Sequence, residues 1–118
     1  MTTRDLLAKL ISFDTLTRNS NRALMDCIAR WLQQQGVASQ FISDADGGKA
    51  NLNASVTPVN TADALNPGIV LSVHTDVVPL DGQSWTLPAF TMTERKSRYH
   101  GRGFVIFWLA TAPTPARA

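Results

Sequence analysis

Cysteine is almost absent from this 118-residue chain: Cys27 is the only one. A single thiol excludes an intrachain disulfide and any zinc site built from several cysteines. It falls on the apolar stripe of a predicted helix, where a buried, inert thiol is expected. Charge of either sign is also scarce, at 17% of residues and a net +2. The eleven Lys and Arg are scattered apart from Arg95, Lys96 and Arg98, so no nucleic-acid partner is expected. Long hydrophobic runs are missing as well. The longest, residues 104–110, is far too short to span a bilayer, and the N-terminus lacks the apolar core of a signal peptide. No membrane association is expected, and a cytoplasmic location is the simplest inference.

What is present suits one small globular domain, with 44% apolar residues. Leu6, Leu7, Leu10 and Ile11 recur at helical spacing, with Thr2 or Thr3 as N-cap. A polar break over residues 13–17 separates this helix from a second. There Ala23, Leu24, Cys27, Ile28, Trp31 and Leu32 share a face, residues 19–21 offer capping side chains, and Gly36 marks the stop. Trp31 is read as core. Residues 37–42 and 51–57 read as strands around the turn residues 44–48, and 58–67 as a polar connection. Residues 69–73 form a nearly continuous apolar run, the pattern of a strand covered on both faces. Residues 81–83 read as a turn that Asp81 could cap, and Trp85, Leu87 and Phe90 as an apolar loop. Helices followed by buried strands indicate an α/β layered domain.

The chemistry concentrates where the apolar run ends, in "VLSVHTDVVP" (residues 70–79). In open α/β sheets ligands gather beyond the carboxyl ends of strands. Residues two apart on a strand point to the same side, so Asp76 can orient the His74 imidazole. A neutral imidazole is a common zinc ligand, and its second nitrogen usually needs a carboxylate or carbonyl to fix the tautomer. A hydrogen-bonded pair capping a loop has the same spacing, and spacing alone does not choose between them. His100 is the only other histidine and lies in a polar stretch.

The wider segment "HTDVVPLDGQSWTLPAFTMTERKSRYHGRG" (residues 74–103) resembles the dinuclear zinc metallopeptidase and deacylase family that includes acetylornithine deacetylase, succinyl-diaminopimelate desuccinylase and aminoacylases. His-Thr-Asp-Val-Val-Pro, a tryptophan, Pro-x-Phe and Gly-Arg-Gly follow in the family's order. Asp81-Gly82-Gln83 before Trp85, with Phe13-Asp14-Thr15 and Arg18 to Asn21 upstream, is most similar to the acetylornithine deacetylase branch. The resemblance implies the N-terminal part of a layered α/β/α zinc-peptidase-like catalytic domain. Its metal ligand is His74, in a centre of two zinc (or cobalt) ions, and its catalytic assignment falls on Asp76, the acid that orients His74. The implied reaction is hydrolysis of a small molecule, N-acetylornithine, to ornithine and acetate in arginine biosynthesis. Desuccinylase or related peptidase chemistry is the alternative within the family. Arg102, between two glycines, is expected to brace the loop through carbonyl hydrogen bonds.

After Gly103 the family pattern, with its metal-bridging aspartate, gives way to "FVIFWLATAPTPARA", which holds no Asp, Glu, His or Cys. Residues 1–103 are therefore expected to be a portion of the catalytic domain, and 104–118 a divergent tail, produced by a frameshift or, as the competing reading, the new C-terminus of a genuine short paralogue. The remaining ligands and the family's dimerisation domain would be absent, the sheet incomplete, metal binding weak and the chain inactive. A non-catalytic interaction protein, using the apolar run 104–109, is the reading from another class.

Overall fold

A computed structural model of the chain describes residues 1–56 and 68–102, and the backbone of 107–111. The polar connection 58–67 and the side chains of the apolar run 104–110 lie outside the described residues. Helix α1 (Thr3–Ile11) begins where the sequence predicts, with Thr2 as N-cap. The Thr2 hydroxyl accepts from the Asp5 N–H at 3.2 Å, and the Asp5 carboxylate accepts from the Thr2 N–H at 3.0 Å. This reciprocal pair satisfies two of the amide donors that a helix start leaves orphaned. The Thr2 N–H, and next the Thr2 hydroxyl, hold the Asp5 carboxyl below its ordinary range.

Helix α2 (Arg22–Gln34) ends in a Schellman arrangement. The Gly36 N–H donates to the Gln33 carbonyl at 3.0 Å and the Val37 N–H to the Leu32 carbonyl at 2.9 Å. Gly36 has φ of 77°, the left-handed conformation that glycine adopts without penalty. Strands β1 (Ser39–Ser43) and β2 (Ala50–Ala54) form an antiparallel hairpin, with Ser43 opposite Ala50. Its turn is closed by Asp44, whose N–H donates to the Lys49 carbonyl at 3.0 Å. The first strand thus starts two residues later than predicted. The second stops short of Val56, which stands exposed.

The core lies between α2 and this hairpin: Leu24, Met25 and Ala50 are buried, with Leu10, Phe13, Ile28, Phe41 and Leu52 packed around them. This corrects three expectations. Ala23 is exposed, while Trp31 and Cys27 are only half-buried. Met25, one position round from the predicted stripe, is buried instead. Two five-residue strands are too narrow to cover a full helical stripe, so burial concentrates on the edge that meets β2.

Strand β3 (Ile69–Val73) forms where predicted and pairs antiparallel with β6 (Phe107–Thr111). It is not covered on both faces. All five of its residues are exposed, Ile69 at 69% and Leu71 at 68%, because none of the described elements packs over either face. Strands β4 (Thr93–Arg95) and β5 (Arg98–His100) make a third two-stranded sheet. The described residues are thus mixed α and β, with three separate antiparallel pairs. No described helix is long and apolar enough to cross a membrane.

The β4–β5 hairpin went unpredicted because its turn carries Lys96 and Ser97 rather than glycine or asparagine. Both have positive φ, 52° and 58°, the pattern of a two-residue type I′ turn. Left-handed conformations cost an L-residue about 1 kcal/mol or more. Replacing Lys96-Ser97 with Asn-Gly is expected to stabilise the chain by roughly 1 kcal/mol; thermal denaturation of the two proteins checks it.

Candidate functional site

The chain leaves β3 at Val73 and turns through His74, Thr75 and Asp76. The His74 Nδ1 lies 3.1 Å from the Asp76 carboxylate Oδ1 and 3.0 Å from the Asp76 carbonyl oxygen. Neither an ionised carboxylate nor a carbonyl can donate, so both contacts are hydrogen bonds when Nδ1 carries the hydrogen. In the neutral ring that tautomer leaves a lone pair on Nε2. Both side chains stand about half exposed, 46% for His74 and 54% for Asp76, so the pair faces solvent.

The polar break of the sequence is what holds this turn. Leu16 forms a parallel bridge with Val77. The Thr17 N–H donates to the Val77 carbonyl and the Val77 N–H to the Thr15 carbonyl, each at 3.0 Å. The buried Thr15 hydroxyl donates to the Thr75 carbonyl at 2.5 Å. The Thr17 hydroxyl reaches Oδ2 of Asp76 at 3.4 Å and the Val77 carbonyl at 3.2 Å. Short polar side chains suit this segment because they can substitute for missing sheet partners.

Asn21 ties the same turn to the core. Its side chain was expected to cap α2, yet it makes no capping hydrogen bond. Instead its Oδ1 accepts from the Ala50 N–H and its Nδ2 donates to the Ala50 carbonyl, both at 2.9 Å. Nδ2 also reaches the Thr75 hydroxyl at 3.3 Å. Lys49 braces the segment from below, donating to the carbonyls of Thr17 and Asn19.

Beyond the turn, Asp81 pairs with Arg18 at 3.1 Å, an ion pair in place of the expected cap. Arg102 braces the loop as its position suggested. It donates to the Val78 carbonyl at 2.8 Å and to the Gln83 side chain at 3.3 Å, with its guanidinium 5.4 Å from the centre of the Trp85 ring. His100 is not brought to His74. It lines a separate hollow of about 400 Å³ with residues 83–87, Tyr99 and Gly101.

With this geometry in view, comparisons with known proteins give one consistent answer. The chain is 34% identical to the acetylornithine deacetylase of Proteus mirabilis over 103 residues, which is 85% of this chain and 25% of that protein. It is 33% identical to the acetylornithine deacetylase of Photorhabdus laumondii over 104 residues, and 32% to that of Pasteurella multocida over 92. This chain is a relative of the acetylornithine deacetylases. It spans about a quarter of the length of the curated relatives it matches. No family model and no solved structure matches it.

A deacetylase relationship raises the question of metal, and the donor set answers it in part. The His74 Nδ1 is held by a carboxylate, an arrangement common among metal-binding histidines. Among the described residues, however, no three His, Cys, Asp or Glu side chains converge. A zinc site needs three protein ligands or more. The described residues do not by themselves make up such a set.

Sequence reasoning missed Thr15, Thr17, Asn21 and Lys49 as the supports of this turn. The available signal was the density of Thr, Asn, Asp and Ser over residues 14–21, more than one helix start requires. Asn21→Ala removes a pair of hydrogen bonds to Ala50 and frees the Thr75 hydroxyl. It is expected to destabilise the chain by about 1–3 kcal/mol, read as a fall in the urea midpoint with an unchanged slope.

Proposed function

We propose that this chain carries the first metal-binding corner of a metal-dependent amide hydrolase that removes the acetyl group from N-acetylornithine, yielding ornithine and acetate. In this reading residues 1–103 are the N-terminal portion of a layered α/β/α catalytic domain. His74 is a ligand in a centre of two zinc or cobalt ions, and Asp76 holds its ring. The observation that carries the reading is the coincidence of two things. A match over 85% of this chain includes residues 74 and 76 wherever it begins, and at that place the imidazole presents an open Nε2 with Nδ1–H directed at a carboxylate.

Divalent ions bound in such a centre supply Lewis acidity and make an attacking water acidic enough to act near neutral pH. The part of this chain is orientation. Asp76 fixes the tautomer and rotation of His74. The half-exposed setting of the pair leaves room for a small polar substrate.

The decisive experiment transplants the matched segment of this chain into the Proteus mirabilis acetylornithine deacetylase. The chimera is expected to hydrolyse N-acetylornithine in a zinc- or cobalt-dependent manner. His74→Ala in it should abolish turnover, and Asp76→Asn should reduce it about 10- to 100-fold. A folded, metal-loaded chimera without hydrolysis would remove the proposal.

The 118-residue chain by itself is expected to bind zinc feebly. Complete structural zinc sites are worth about 10–16 kcal/mol, and one imidazole supplies roughly a third or less of that, an affinity near millimolar. Calorimetric titration with zinc checks this value, and stoichiometric binding at micromolar zinc would contradict it.

A further inference from the structure

Asp76 is flanked by two peptide planes, and both are held by a single residue. The plane joining Thr75 to Asp76 contains the Thr75 carbonyl, which accepts from the Thr15 hydroxyl at 2.5 Å. The plane joining Asp76 to Val77 contains the Val77 N–H, which donates to the Thr15 carbonyl at 3.0 Å. Fixing both planes fixes φ and ψ of Asp76, and with them the origin of its side chain. The same second plane carries the Asp76 carbonyl, one of the two acceptors on His74 Nδ1; the other is the Asp76 carboxylate. Each acceptor seen by the imidazole is therefore set from Thr15. Thr15 is buried although threonine is a residue usually exposed, and its hydroxyl makes this bond across sixty residues of sequence. Thr17 adds a lesser hold, its hydroxyl reaching the far carboxylate oxygen and the Val77 carbonyl.

We infer that Thr15 is a positioning residue for the His74–Asp76 pair: its hydroxyl and carbonyl together orient Asp76 so that His74 is kept as the Nδ1–H tautomer with Nε2 open. Thr15 does not touch substrate or metal, and it acts through the peptide planes on either side of Asp76. The inference rests on the deacetylase reading for its purpose, since an open Nε2 matters where a ligand is needed. Its geometry stands without that reading.

The test reads the tautomer of His74 directly, in the metal-free chain, from imidazole nitrogen-15 shifts at about pH 8.5, above the ordinary range of imidazoles. In the unaltered protein Nδ1–H is expected to predominate. Thr15→Val keeps the shape and the backbone bond but loses the hydroxyl. It is expected to lower the ratio of Nδ1–H to Nε2–H about 2- to 10-fold, the equivalent of one hydrogen bond. Thr15→Ser should restore it. A merely structural role would change stability and leave the tautomer as it was. Amide shifts of α2 and the β1–β2 hairpin report whether Thr15→Val is folded. If it is not, Thr17→Val at its exposed position serves, with a smaller shift in the same direction expected. Nε2–H predominating in the unaltered protein, or an unchanged ratio in a folded Thr15→Val, would overturn the inference. So would an unchanged ratio in Thr17→Val where Thr15→Val does not fold. Because no metal or substrate enters the measurement, its failure is separable from failure of the deacetylase chimera.

Discussion

The side-chain amide of Asn21 saturates both backbone groups of Ala50 and then reaches the Thr75 hydroxyl, and the His74 turn depends on that reach. Ala50 is part of the buried cluster with Leu24 and Met25, so one end of the connection is anchored by apolar packing. The other end is a solvent-facing turn, joined at Val77 to the buried Leu16. An amide can serve both because it carries a donor and an acceptor in one rigid plane. Replacing a strand partner with a side chain in this way keeps buried backbone groups satisfied where no sheet extends.

A small core makes such polar ties matter more. Among the described residues only Leu16, Leu24, Met25, Ala50 and Thr15 are buried, and none of them completely. Hydrophobic burial scales with the area removed from water, and here that area centres on one helix edge against one hairpin, with Leu10 and Phe13 packed beside it. The rest is joined by hydrogen bonds and ion pairs that are largely exposed, such as Arg18 with Asp81 and Arg4 with Glu94. Exposed pairs contribute little individually. The bridge between Leu16 and Val77, supported by the buried Thr15, is better protected than these pairs.

Strand β3 carries the opposite lesson. Its sequence, Ile-Val-Leu-Ser-Val, is that of a strand enclosed on both sides, yet its side chains meet solvent throughout. Apolar strands with open faces and an unguarded edge invite association. The curated relatives are about four times as long as the segment they share with this chain. A strand whose composition anticipates layers that the described residues do not form accords with that difference in length.

Local signals were legible wherever a residue acts on its own neighbours. The N-cap at Thr2, the stop at Gly36 and the turn at Asp44 all follow from backbone groups within a few positions. The extent of β3, the position of His74 and Asp76 at its end, and the bracing by Arg102 were readable for the same reason, together with the resemblance carried by residues 74–103. Contacts distant in the chain were not legible. Nothing in the spacing of Thr15 or Asn21 says that one will grip the peptide planes around Asp76 and the other Ala50, because such partners are chosen by how separate elements dock. The Lys96-Ser97 turn escaped for a related reason: its left-handed residues lack the usual glycine, and the pairing of β4 with β5 imposes the shape. The amino-acid order by itself determined where the helices and the glycine-marked turns lie and which side chains could do chemistry. Tertiary structure alone decided which face was buried, which carbonyl each polar side chain would satisfy, and how the imidazole would be held, since those depend on surfaces that exist only after the elements meet.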